Sequence, residues 1–101
     1  MCADLDATSA WVRSTLGDLA LDDEPHARLR ETLWEFLATG CSYTAAAQQL
    51  ILHKNTVQYR VRKAEEARGR PVQDRRLDLE LALLVARALG GTVLTPLTPG
   101  R

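Results

Sequence analysis

The sequence has few of the residues from which reactive centres are built. It holds two histidines and two cysteines in 101 residues, with no glycine-rich phosphate loop and no run of metal-ligand spacing, so a catalytic constellation has little to be made from. Cys2 and Cys41 lack the paired spacing of a zinc site and are too few for a disulfide framework; both are expected to be free thiols without a role. No metal or cofactor is expected. Aromatics are scarce too, at two Trp, two Tyr and one Phe, which argues against an RNA-binding platform of stacking rings. The one dense apolar run, Leu77 to Leu89, is interrupted by Asp78, Glu80 and Arg87, too short and too charged to cross a bilayer. The first residues are acidic where a secretory leader would be basic and then apolar, so a cytoplasmic location is expected.

The chain also lacks net charge, but the neutrality is a cancellation. Residues 1–40 carry a net −5 and residues 51–70 a net +4. Such asymmetry is compatible with an anionic partner for the basic segment, and equally with a solvated helix face. Hydrophobic content of 46% with 26% charged residues suits one small globular domain that folds without staples.

Strand-like alternation of useful length is missing, so the expected fold is all-α. Gly17, Gly40, Gly69 and Gly90 each follow a helically patterned stretch, as glycine does just past a last helical turn. The interval from Gly40 to Gly69 can hold two helices, which gives five. Start signals are Thr8 or Ser9, the run Asp22-Asp23-Glu24-Pro25, Ser42, and Asp74. Leu29, Leu33, Phe36 and Leu37 form one core stripe, and Trp34, off that stripe, should pack against the first helix or lie exposed. The helical domain is placed at residues 1–90. From Gly91 to Arg101 the two prolines and the threonines predict a mobile tail.

Ser42 to Arg68 has the spacing of a helix-turn-helix, with the second helix at residues 54–68. Ala45, Ala46 and Ala47 allow close approach of the two helices, Leu50 and Leu52 bracket the turn, and Val57, Val61 and Ala64 form the buried stripe of the second helix. Rotation by about 100° per residue puts Asn55, Tyr59, Arg62 and Lys63 opposite that stripe, with Lys54 and Gln58 on its flank. Amides can bond adenine edges, cations can bond guanine or phosphate, and tyrosine offers a hydroxyl or a ring edge. His53 and Thr56 fall at the helix start, where donors and the helix dipole suit a phosphate, and His53 reads first as a cap. Arg60 lies at the edge of the buried face, open to either a structural ion pair or a phosphate contact. The candidate DNA-binding residues are therefore His53, Lys54, Asn55, Thr56, Gln58, Tyr59, Arg62 and Lys63.

The string His53-Lys54-Asn55-Thr56-Val57-Gln58-Tyr59-Arg60-Val61 resembles the core of the PucR-type helix-turn-helix, found at the C-terminus of bacterial transcription regulators in the broader Fis-like class. "STLGDL" (residues 14–19), "RETLWEFL" and "DRRLDLELAL" extend the resemblance from Trp11 to Leu89. Asp18 stands where the family often has proline. Ile51 takes a turn position where many helix-turn-helix proteins outside the family have glycine. The resemblance implies sequence-specific binding of double-stranded DNA, and an N-terminal metabolite sensor that this sequence does not contain. A helical docking module without DNA binding is the rival reading; it would call for exposed Leu, Phe or Met on the outer face of the second helix.

The last helix carries two apolar stripes. Leu77, Leu81, Leu84 and Ala88 make one, and Leu79, Leu83 and Ala86 make the other. A helix apolar on two sides is either enclosed by its own domain or met by a partner. A homodimer through this helix is expected, with two recognition helices about 34 Å apart on successive major grooves.

Overall fold

A computed structural model describes residues 2–95, with side chains from Asp6 onward. The fold is all-α. Five helices follow in order: α1 (Cys2–Leu16), α2 (Glu24–Ala38), α3 (Tyr43–Leu50), α4 (Lys54–Arg68) and α5 (Arg76–Leu89), with a 3₁₀ turn at Gly17–Ala20. All four punctuating glycines adopt positive φ.

Two of the expected starts are caps. The Asp23 carboxylate accepts the His26 N–H at 2.9 Å, and Ser42 Oγ accepts the Ala45 N–H at 3.1 Å. That bond from the His26 backbone holds the Asp23 carboxyl below the usual carboxylate range. The other two are corrected. α1 begins at Cys2, well before Thr8, and Ser9 Oγ instead bonds the Thr92 carbonyl at 3.2 Å. α5 begins after Arg75, which takes the left-handed conformation, and no side chain caps it.

The core is assembled from Val12, Leu16 and Leu19, from Leu33, Phe36 and Leu37 of α2, from Val57, Val61 and Ala64 of α4, and from Leu79 and Leu83 of α5. Phe36 and Tyr43 stack at 4.8 Å between centroids, fixing the turn from α2 into α3. Trp34 meets α5, where the Arg87 guanidinium lies 4.8 Å above its ring. A cation offered by the last helix competes well for an indole face.

The expected mobile tail gives way over its first residues. Val93 and Leu94 are buried, Thr95 pairs with Leu21 in an isolated bridge, and Arg13 bonds the carbonyls of Val93 (3.2 Å) and Leu94 (2.8 Å). The reason is a short apolar pair that proline and threonine neighbours conceal, with the segment's carbonyls satisfied by an arginine. Residues 96–101 of the expected tail lie outside the described residues.

Three arginines act on backbone rather than on carboxylates. Arg13 holds the 93–94 segment. Arg30 bonds the carbonyls of Leu19 and Leu21, each at 2.8 Å. Arg68 bonds those of Thr15 (3.4 Å), Pro71 (2.8 Å) and Asp74 (2.6 Å). Burial pushes the Arg30 and Arg68 guanidinia down, opposed by nearby aspartates. These clamps fix the non-helical connections around α4.

Candidate nucleic-acid interface

The candidate interface is built on the α3–α4 turn. Ala46 and Ala47 are buried, so the short α3 approaches α4 without intervening side chains. α3 ends on Ile51 in the left-handed conformation (φ 56°, ψ 50°), with the Leu52 N–H on the Ala47 carbonyl at 2.9 Å. That is the six-to-one bond of a Schellman stop. Ile51 is 89% exposed, so its left-handed cost of about 1 to 2 kcal/mol is not offset by burial. Leu52 then packs against the core and turns the chain into α4.

His53 is the N-cap of α4. Its Nδ1 accepts the Asn55 N–H at 3.1 Å, which leaves the proton of the neutral ring on Nε2 as a free donor at the helix start. Val57, Val61, Ala64 and Arg68 form the buried side. Opposite them, Lys54, Asn55, Tyr59 and Arg62 are exposed, while Thr56, Gln58 and Lys63 are half-buried beside them. Tyr59 organises this surface. The Arg62 guanidinium carbon lies 5.5 Å and Lys63 Nζ 5.6 Å from its ring centroid, contacts worth roughly 0.5 to 1 kcal/mol each at an exposed site. The ring thus restrains two long cationic chains, lowering the entropy lost when an anion immobilises them.

The structure places all eight candidate residues on the first three turns of α4 or its cap. Arg60 is half-buried and makes no ion pair among the described residues. Two features escaped the sequence reading. Arg68, counted in the basic segment, is 8% exposed and spent on carbonyls. Its spacing of four from Ala64 put it on the valine stripe, and that signal was available. Glu66, four residues past Arg62, is exposed on the same side and reaches Lys63 Nζ at 3.5 Å. Its carboxylate closes the cationic surface after Lys63, while Glu65 turns back to accept the Val72 N–H at 2.8 Å.

A comparison of the chain with protein-family models finds the PucR C-terminal helix-turn-helix domain over residues 29–85. The chain belongs to that family. The matched span runs from the middle of α2 into the last turns of α5, narrower than the resemblance read from Trp11. Relatives of this PucR-type domain include the purine catabolism regulatory protein of Bacillus subtilis, 37% identical over 72% of this chain and 14% of that protein. The transcriptional activator PmfR of Paenarthrobacter nicotinovorans is 39% identical over 63% of this chain and 14% of its own length. The proline-responsive activator PutR of B. subtilis is 36% identical over 65% of this chain and 17% of its length. The chain thus spans about a seventh of the length of these curated relatives. No solved structure matches. The family is one of transcription regulators, not of enzymes, and no helix among the described residues is long and apolar enough to cross a membrane.

Proposed function

We propose that this PucR-type domain binds double-stranded DNA sequence-specifically, with α4 in the major groove, as the DNA-reading part of a longer cytoplasmic transcription regulator. The observation that carries this reading is the outer face of α4. Asn55 is exposed beside Tyr59 and Arg62, with Gln58 and Lys63 at its edges, and no large aliphatic side chain interrupts the set. Amides at the first and second turns suit base edges, cations and the Nε2–H of His53 suit phosphates, and Glu66 repels the backbone beyond the contact. No cofactor is needed for this chemistry.

A partner-protein surface is supported elsewhere, on α5, where Leu77, Leu81 and Leu84 are exposed. A second copy held there would let two α4 helices read half-sites about 34 Å apart. The missing sensor region is a further part of this proposal, consistent with the length of the relatives.

The reading is tested by selecting bound sequences from a random duplex library with the parent, Asn55→Ala and Gln58→Ala. Each variant is expected to lose preference at one base pair, at roughly 1 to 3 kcal/mol, while other positions keep theirs. A loss uniform over all sequences would assign those side chains to phosphate and contradict direct reading by the amides.

A further inference from the structure

The apolar stripe that α5 leaves uncovered has a coiled-coil period. Leu77, Leu81, Leu84 and Ala88 follow one another at spacings of four, three and four, the alternation of the two seam positions of a heptad. Leu77, Leu81 and Leu84 are 69%, 44% and 49% exposed, while Leu79, Ala82, Leu83 and Ala86 on the other side are buried in the domain. The helix therefore turns a seam away from its own core. Beside that seam lies an open cleft of about 420 Å³ bordered by Trp11 of α1 and Val85.

We infer that this seam pairs with the α5 seam of a second copy in antiparallel orientation, and that Glu80 and Arg87 select the orientation. This deepens the reading above, since it supplies the two-fold arrangement that paired half-sites need. The seam is self-complementary. A two-fold axis crossing between Ala82 and Leu83 sets Leu81 against Leu84 of the second copy, and Leu77 against Ala88 of the second copy, so each outer layer joins a large residue to a small one. In the same register Glu80 and Arg87 occupy the flanking positions that face each other across an antiparallel seam. Glu80 meets Arg87 of the second copy, and symmetry repeats the pair. In a parallel pair the flanking positions five residues apart meet instead, so Glu80 would face Val85 and no charge would be matched.

Both flanking side chains are already ordered. Arg76 Nε donates to Glu80 Oε2 at 2.8 Å, and Arg87 Nη1 donates to Glu31 Oε1 at 2.6 Å. Those bonds use only part of each group's capacity, so a cross-seam pair adds to them without displacing them.

The test is sedimentation equilibrium of the 101-residue chain, with circular dichroism to confirm that each variant is folded at the temperature used. The parent is expected to dimerise reversibly, with a dissociation constant on the order of 10 to 100 µM for so small a seam. Leu81→Glu with Leu84→Glu, both at exposed positions, should be monomeric and as helical as the parent. E80R alone or R87E alone places like charges opposite each other twice, and should weaken the dimer about tenfold or more. The two together should restore it to within about threefold of the parent. A parent that stays monomeric at about 1 mM overturns the proposal, and so does a double variant no better than either single. Fluorescence anisotropy of a labelled duplex is read in parallel. A monomer that binds DNA sinks the seam and leaves α4 as the reader, whereas a dimer that binds none does the reverse.

Discussion

Gly17→Val is expected to lower the thermal midpoint by roughly 15 °C or more, although residue 17 lies outside both helices of the helix-turn-helix. Gly17 sits at φ +60°, and a Cβ there would come within 3.1 Å of the Arg68 carbonyl oxygen and 3.2 Å of that of Ala67. Both obstacles are backbone atoms of the last turn of α4, which cannot rotate aside as a side chain can. A β-branched residue adds the left-handed cost of about 1 to 2 kcal/mol to an overpacking cost of similar size. Together they come to about 3 kcal/mol, out of the 5 to 15 that hold a typical domain. The control is Gly40→Ala, where φ is +75° but a Cβ meets nothing within 4 Å. That variant should lose only about 1 kcal/mol. Equal losses in thermal melts would mean that conformation alone matters, and that the approach of the α1 end to the α4 end is not a constraint. The contact matters for function because the same junction receives Arg68 Nε on the Thr15 carbonyl. The end of α4 and the core are thus braced together.

Arg62→Glu combined with Lys63→Glu should weaken non-specific duplex binding on the order of a hundredfold at low salt while leaving the fold intact. Arg62 is exposed and Lys63 half-buried, and among the described residues they meet the Tyr59 ring and, for Lys63, Glu66. Reversing both removes the net +4 of residues 51–70. The parent is expected to bind an arbitrary duplex with a dissociation constant of roughly 10⁻⁴ to 10⁻⁶ M, and the variant's dependence of log affinity on log salt should be shallower by about two. Titrations by fluorescence anisotropy at several salt concentrations check both. Unchanged affinity in the folded variant would move the phosphate contacts off this face.

Much of this was legible because the signals were local. Glycine at a helix stop answers to a backbone conformation that the residue alone confers, and all four stops took positive φ. The valine stripe of α4 and the split stripes of α5 follow from helical period alone. What stayed hidden depended on partners distant in sequence. Ser9 looked like a cap because nothing in its neighbourhood announces Thr92 as its acceptor. Val93 and Leu94 looked like tail because their burial needs Arg13, some eighty residues earlier, to satisfy their carbonyls. Trp34 reads as packed on α1 or exposed because nothing near it in sequence shows where Arg87 lies. At the interface, Glu66 was readable as a charge at four-residue spacing from Arg62. The restraint of Arg62 and Lys63 by one tyrosine ring required side-chain positions.

Contact of DNA with the outer face of α4 is read residue by residue from amide chemical shifts. ¹⁵N-labelled protein would be titrated with an arbitrary duplex at low salt and followed by two-dimensional NMR. Perturbations are expected to gather on His53 to Lys63 and to fade past Glu66, with α5 from Leu77 to Ala88 unmoved. Perturbations gathered on α1 and α5 instead, with α4 silent, would contradict it.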